Sequence, residues 1–257
     1  MVKKKILKIL LALSSLIGTL LLWKLAILIF DYPTYILPDP ILVKNRLSFL
    51  FETGKIYPHL KRTLLEILSG FILGTSLAVI TGYVLAKRKW LKISLTPYII
   101  GFQSIPIIAL APLFILWFGT GIVSKIIICA LIVFFPIMIN TVTALSNIES
   151  DKKDLLRMYN ASSLNILSKL EIPHSLPYIF SSLKIGIVLS VIGAVVGEFI
   201  GADKGLGFLI NSSLGLIDTP QLFAVIFILS TLGLAFYTIV SIIETFSLPY
   251  KKYIYKE

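Results

Sequence analysis

Long apolar runs alternate with short polar segments along the chain, and this pattern predicts membrane-spanning helices. Six runs approach or exceed the roughly 20 residues that cross a bilayer. They cover 7–30, 63–86, 95–118, 122–145, 176–200 and 222–247. Apolar and polar residues do not alternate within these runs, as they would in the strands of a transmembrane barrel. We therefore expect an all-α polytopic membrane protein with about six transmembrane helices.

Composition strengthens this prediction. Of the 257 residues, 57% are hydrophobic and only 14% are charged, a balance that is rare in soluble domains. The first half of the opening stretch, "MVKKKILKILLALSSLIGTLLLWKLAILIF", resembles a signal peptide. The apolar run continues to Phe30, however, and no small-residue cleavage site ends it. We therefore expect a retained first span.

The net charge of +11 predicts an orientation in the membrane rather than nucleic-acid binding. If the N-terminus is cytoplasmic, fifteen of the 24 Lys and Arg residues fall in cytoplasmic segments and seven in outer segments. The cytoplasmic ones are Lys3, Lys4, Lys5, Lys8, Lys87, Arg88, Lys89, Lys92, Lys152, Lys153, Arg157, Lys169, Lys251, Lys252 and Lys256. Positive residues concentrate in cytoplasmic loops, so we expect a cell-membrane protein with both termini inside.

Two regions are expected. Residues 1–60 hold the first span and an outer segment whose "ILVKNRLSFLF" is typical of a short amphipathic helix at the interface. Residues 61–257 form the core domain, which contains a polar loop at about 150–173. Lys125 is assigned to an outer segment.

The third run contains Pro97, Pro106 and Pro112, with Gln103 and Ser104 before the middle proline. Proline removes a backbone donor and disfavours helix just before itself. Broken helices often line transport paths, so Gln103, Ser104 and Pro106 are candidates for the path. The alternative is a kinked helix packed on its neighbours.

The fifth run carries Gly193, Gly197 and Gly201 at a spacing of four, which places them on one helix face and permits close packing. Glu198 lies beside this face near the outer end. A carboxylate there is costly unless it is paired, hydrated or protonated. Glu198 is either a structural residue that caps or pairs near the outer loop, or part of the path or its gate.

Enzymatic signatures are missing. The sequence lacks a Gly-Lys-Ser/Thr phosphate loop, and its two histidines, His59 and His174, fall on opposite predicted sides of the membrane. We expect no catalytic or metal-binding residues and no cofactor bound by this chain.

The sequence of the polar loop at about 150–173 predicts two short helices joined by a turn. Leu155, Leu156 and Tyr159 recur at helical spacing, and Asn160 tolerates the left-handed conformation that ends helices. Ser162 or Ser163 can cap a second helix that Pro173 would end, with Pro177 starting the next span. Such a loop either lies on the membrane surface or docks on a cytoplasmic partner.

This loop resembles the EAA motif of the permease subunits of bacterial ABC importers, in their nitrate/sulfonate/taurine branch. The resemblance extends to "QSIPIIALAPLFILWFGTGIVSKIIICALIVFFPIMINTV" and "SVIGAVVGEFIGADKGLGFLI". Asn160 replaces the glycine of the motif, and two leucines replace its alanines. The coupling residues that the resemblance implies are Asp154, Leu155, Leu156, Asn160, Ala161, Ser162, Leu167, Pro173 and Pro177.

The resemblance implies a type I ABC importer permease fold and alternating access. The implied partners are an ABC ATPase subunit, which would bind ATP and Mg, an extracytoplasmic substrate-binding protein, and a second permease chain in a homodimer. A sulfonate, taurine, nitrate, thiamine-precursor pyrimidine or riboflavin remains open as the substrate, with a slight preference for a small organic nutrient. The rival function is an ion-coupled secondary transporter, which needs carboxylates near mid-bilayer.

Overall fold

The computed structural model describes residues 2–248, and all regular elements of that range are helical. Lys251, Lys252 and Lys256 lie outside the described residues, as do the side chains of residues 2–9, 12, 13 and 16. The helices are α1 (Val2–Phe30), α2 (Pro40–Glu52), α3 (Ile56–Lys87), α4 (Lys89–Ser104), α5 (Ile107–Phe118), α6 (Ile122–Ser146), α7 (Ser150–Met158), α8 (Ser163–Ile166), α9 (Ile172–Gly201), α10 (Leu206–Gly215) and α11 (Thr219–Ser247).

Four of the six predicted apolar runs are confirmed as long apolar helices. Four helices within 2–248 are long and apolar enough to cross a membrane, namely α3, α6, α9 with the segment before it, and α11. The run at 95–118 forms α4 and α5, which meet at a bend of 91° and together make at most a fifth span. The run at 7–30 lies in α1, and the apolar part of α1 among the described side chains is Ile17–Phe30, which is shorter than a membrane span. The first span therefore stays a prediction.

Helices α3, α6 and α9 form the centre of the bundle because small residues let their backbones meet. Gly70, Gly74 and Gly82 line the side of α3 that faces α6, and a β-carbon on Gly74 would lie 2.5 Å from the Ala130 carbonyl oxygen. Gly70, Gly74 and Gly82 are spaced by multiples of four residues, like the glycine face predicted for α9, but this close packing of α3 was not predicted from the sequence.

The predicted glycine face of α9 is confirmed. A β-carbon on Gly193 would lie 3.0 Å from Cα of Cys129, and one on Gly197 would lie 2.9 Å from Cγ of Lys125. Gly201 packs against Ile115 of α5 in the same way. The face thus brings α9 close to both α6 and α5.

Helices α2 and α10 close the end of the bundle opposite the 150–173 loop. The predicted short helix of the outer segment is confirmed as α2, and its place at the membrane interface stays a prediction. It begins after Asp39, whose Oδ1 accepts a hydrogen bond from the Ile41 amide at 2.8 Å. Leu50 of α2, Leu206 of α10 and Val225 of α11 are buried in one apolar cluster. Helix α10 was not predicted from the sequence.

The segment before α9 does not end at Pro173, so that prediction was wrong. The helix runs continuously from Ser163 to Gly201 through one π-helical turn, Leu167–Glu171. In that turn the Ile172 amide donates to the carbonyl five residues earlier, that of Leu167. The widened turn places Pro173 in the first turn of α9, where a missing backbone donor is tolerated better than in a helix interior. Pro177 lies within α9 and does not begin it.

Candidate functional site

The turn between α7 and α8 has the geometry predicted for Asn160. Its φ angle is +53°, in the left-handed region. The Ala161 amide donates to the Leu156 carbonyl at 3.0 Å, and the Asn160 amide donates to the Arg157 carbonyl at 2.9 Å. These two bonds form the Schellman motif, in which a residue of this conformation ends a helix and satisfies its last carbonyls. The chain then leaves α7 in a fixed direction.

Apolar side chains on this polar loop point to solvent. Met158, Tyr159 and Leu164 are 81%, 79% and 75% exposed, and Leu155 is 54% exposed. Leu156 is half-buried. Asp154 pairs with Arg157 on the outer surface of α7 at 2.9 Å. The loop therefore presents an apolar patch within a charged rim.

The base of the loop is anchored to the bundle. The Ser162 hydroxyl caps α8 by accepting from the Asn165 amide at 3.3 Å, as predicted. Leu167 is half-buried in the π-turn. Lys87, at the end of α3, donates to the buried carboxylate of Glu171 at 2.6 Å. A displacement of the loop would thus be transmitted to α3 and α9.

The bend between α4 and α5 lies at Pro106, the middle of the three prolines. Ile105 before it is extended, with a ψ angle of 122°, because the proline ring disfavours helix at that position. Pro97 and Pro112 lie inside α4 and α5 without ending them. The Ser104 hydroxyl donates to the Ile100 carbonyl at 3.0 Å, and Gln103 is exposed beside the bend.

Gln103 lines a cavity of about 400 Å³ between α4, α5 and α6. Asn140 of α6 shares this cavity, and its side chain donates to the Pro136 carbonyl at 3.0 Å. The sequence analysis missed Asn140. An amide within the apolar run "FFPIMINTV", four residues after a proline, was the signal that could have found it.

At the end of the bundle opposite the loop, Glu198 is buried and hydrogen-bonded to two elements, α3 and α10. Its Oε1 accepts from the Thr63 hydroxyl at 2.6 Å, and its Oε2 accepts from the Gly207 amide at 2.7 Å. The Thr63 hydroxyl also accepts from the Leu206 amide at 2.8 Å. Glu198 therefore fixes the start of α10 on α3 and α9, an arrangement that favours the structural interpretation. Its role as a gate stays a prediction.

Further charges lie beside Glu198. Glu66 is buried and pairs with Arg62 at 2.7 Å. Lys125, which was assigned to an outer segment, lies in the first turn of α6 and is fully buried. Its ammonium donates to the carbonyls of Thr120, at 2.6 Å, and of Gly201. Nothing in the sequence around Lys125 indicated that its side chain would be buried.

The predicted site residues thus fall at separate levels of the molecule. The predicted coupling residues lie at the end formed by α7, α8, the start of α9 and the ends of α3 and α6. Glu198 lies at the other end, beside α10. Gln103, Ser104 and Pro106 lie at the bend. These three positions suit transmission of movement through a helical bundle, rather than one compact catalytic centre.

A bundle of long apolar helices with a broken span and an exposed helix–turn–helix loop is the architecture of a transport permease. Comparison with known proteins agrees. Residues 70–247 match the model of the family "Binding-protein-dependent transport system inner membrane component", and the chain belongs to this family.

Curated relatives cover nearly the whole chain. The riboflavin transport system permease protein RibX of Chloroflexus aurantiacus is 39% identical over 90% of this chain and 86% of its own. The formylaminopyrimidine transport permease protein ThiX of Halalkalibacterium halodurans is 34% identical over 91% and 92%. The putative aliphatic sulfonates transport permease protein SsuC of Bacillus subtilis is 30% identical over 77% and 72%.

Among solved structures, the MetNI methionine ABC transporter in an inward-facing conformation shares the fold. The TM-score is 0.62 at 21% identity, over 71% of this chain and 91% of the matched chain. The prediction of a type I ABC importer permease fold is confirmed. The protein is the transmembrane permease subunit of an ABC importer of the sulfonate/nitrate branch.

Proposed function

We propose that α7 and α8 form the coupling element through which a partner ABC ATPase, carrying ATP and Mg, drives this permease. An extracytoplasmic binding protein delivers the substrate, and a second copy of the chain completes the path. The loop and both termini are cytoplasmic. The cargo is a small organic nutrient with a heterocyclic ring, taken up by alternating access.

The observation that carries the coupling role is the exposed apolar patch on a rigid turn. Every residue of α7 except Lys153 and Leu156 is exposed. Exposed Met158, Tyr159 and Leu164 would be covered by a groove on a partner, which is the usual way that an amphipathic helix binds. The left-handed Asn160 pre-orders this surface, so little conformational entropy is lost on docking.

The orientation rests on which charges share an end of the bundle. Lys87 lies at the level of the loop through its bond to Glu171, and Lys92 through its 3.1 Å bond to Ser146. The basic residues 87–92 and those of α7 therefore belong to one side. Concentrated positive charge marks the cytoplasmic side, where an ATPase would be.

The substrate class is supported by relatedness. The relatives named for riboflavin and for formylaminopyrimidine are 39% and 34% identical, while the relative named for aliphatic sulfonates is 30% identical. Both of the former cargoes contain nitrogen heterocycles. We therefore propose that this chain transports a heterocyclic nutrient rather than a sulfonate.

The test of coupling compares two substitutions at one position. Asn160→Gly retains the left-handed conformation, whereas Asn160→Val does not, at a cost of about 1–2 kcal/mol. Each tagged full-length variant is co-expressed with the candidate ATPase and binding protein and purified in mild detergent. We expect Asn160→Gly to recover the ATPase like the wild type and Asn160→Val to lose most of it.

Uptake by the same variants completes the test. At equal expression, Asn160→Val should transport far less than Asn160→Gly. Equal recovery of the ATPase and equal uptake for both variants would contradict the coupling role. Recovery of the permease without any ATPase in the wild type would contradict the assignment of the partner.

A further inference from the structure

The cavity at the bend combines neutral hydrogen-bonding groups with aromatic rings. Its lining residues are Phe102, Gln103, Ile107, Ile132, Phe135, Pro136, Ile139 and Asn140, all of them uncharged. A volume of about 400 Å³ lies within the range of small-molecule sites. It is therefore large enough for a ring system, and its walls carry no charge.

The Gln103 carboxamide is available to a ligand. Within residues 2–248 its side chain has no hydrogen-bond partner in the protein. Because Gln103 is exposed beside the bend, its carboxamide can hydrogen-bond a ligand directly. Gln103 offers two donors and an acceptor, and a pyrimidine-type ring edge offers the complementary groups.

Asn140 of α6 adds a second carboxamide to the cavity lining. One of its amide hydrogens is used on the Pro136 carbonyl at 3.0 Å, which fixes the orientation of the side chain. The other hydrogen and the carbonyl oxygen remain for a ligand. Two carboxamides from two helices can thus form hydrogen bonds with two edges of one ring.

Two aromatic side chains complete the site. The rings of Phe102 and Phe135 lie 6.5 Å apart at their centroids, with an angle of 17° between their planes. Aromatic surfaces of this kind stabilise planar rings by stacking. Cationic side chains form the strongest hydrogen bonds to a sulfonate or nitrate, and the lining contains none among the described residues.

We infer that Gln103 and Asn140 form a substrate-binding site at the α4–α5 bend for a neutral, planar nitrogen heterocycle. This inference rests on the proposed function, since it takes the chain as the importer of a heterocyclic nutrient. The bend at Pro106 opens the space between α4, α5 and α6 in which the ring is held.

Uptake by the reconstituted complex with its ATPase and binding protein tests the site. The probes are riboflavin and formylaminopyrimidine, with taurine as the anionic comparison. Gln103→Leu and Asn140→Leu keep the approximate size of the side chain and remove its hydrogen bonds. We expect each to raise the KM for a transported heterocycle about tenfold or more, since an unpaired polar group on the ligand costs about 1–3 kcal/mol. Thr96→Val, on α4 but outside the cavity lining, should leave KM unchanged.

A second measurement does not depend on transport kinetics. In the complex, Asn140→Cys should react with a water-soluble thiol reagent, and the transported heterocycle should slow that reaction. The native Cys129 is buried and supplies a low background.

The possible failures can be told apart. Unchanged KM in both leucine variants, or labelling of Asn140→Cys that the heterocycle does not slow, overturns the site while the coupling to the ATPase stands. Uptake of taurine and of neither heterocycle overturns the site together with the proposed substrate class. Loss of the ATPase from the wild-type complex overturns the proposed function and is detected in the pull-down, before any uptake is measured.

Discussion

The crossing of α3 and α6 at Gly74 is a helix contact that we expect to tolerate substitution poorly. A β-carbon on Gly74 would lie 2.5 Å from the carbonyl oxygen of Ala130 and 2.9 Å from its Cα. Favourable contact between carbon atoms needs about 3.5–4.0 Å. Gly74→Ala therefore requires the two helix backbones to separate by about 0.6–1.1 Å.

The cost follows from the kind of atom that is met. Backbone atoms of α6 cannot rotate aside, and separating the helices would also loosen the close contacts at Gly70 and Gly82. Overpacking of this kind costs about 1–3 kcal/mol or more, and the helix propensity of alanine returns up to about 1 kcal/mol. We expect a net loss of about 2 kcal/mol, equivalent to a fall of about 4–8 °C in Tm.

Two glycines provide graded controls. A β-carbon on Gly186 would first meet the Cδ1 atom of Ile137 at 3.0 Å, the far end of a flexible side chain, so Gly186→Ala should lose less. A β-carbon on Gly233 of α11 has nothing within 4 Å, so Gly233→Ala should be neutral or slightly stabilising. Melting of the full-length variants in one detergent, followed by fluorescence-detected size exclusion, gives the order. Equal Tm values for Gly74→Ala and Gly233→Ala would refute the reasoning.

Three further substitutions test other parts of the structure. Gly205 has a φ angle of +125° and lies against Glu198, so Gly205→Ala should lower Tm by more than Gly186→Ala does in the same melting assay. Lys184→Met leaves the Glu244 carboxylate without its 2.8 Å lysine partner and should cost up to about 3 kcal/mol, whereas adding Glu244→Met should recover most of that loss. The Ile41 amide, and then Lys24, hold the pKa of Asp39 below its usual range. Its capping contribution should therefore be present above the unfolded pKa and be lost as pH falls through the lower folded pKa, a change that Asp39→Asn should abolish when melting is followed against pH.

The helical elements and the turn at Asn160 could be predicted because each depends on local sequence. Apolar runs as long as a bilayer crossing specify helices. A proline disfavours helix just before itself, so a break in the third run was predictable, although only Pro106 of its three prolines produced one. Asn160 is one of the few residues that accept a positive φ at low cost, so its conformation followed from its type and position.

The contacts that cross the bundle could not be predicted in the same way. Pro173 was expected to end a helix, and a π-turn, which has no simple sequence signature, absorbed it. Lys125 can be buried because two carbonyls, one from the turn before α6 and one from the end of α9, converge on its ammonium group, and that convergence exists only after folding. Asn140 required knowledge of which face of α6 meets the bend.

The division between tightly and loosely packed helices bears on how such a permease moves. Glycine faces hold α3, α6 and α9 against one another, and packed helices of this kind move together rather than deform. In contrast, every residue of α4 is exposed or half-buried, and α5 buries Ala111 alone among its residues. Little apolar contact has to be broken for α4 and α5 to change position, so the bend can adjust at low cost. The Lys87–Glu171 pair joins the loop to the tightly packed helices α3, α6 and α9. A force on α7 would therefore tilt these helices relative to the α4–α5 bend and change the space between α4, α5 and α6.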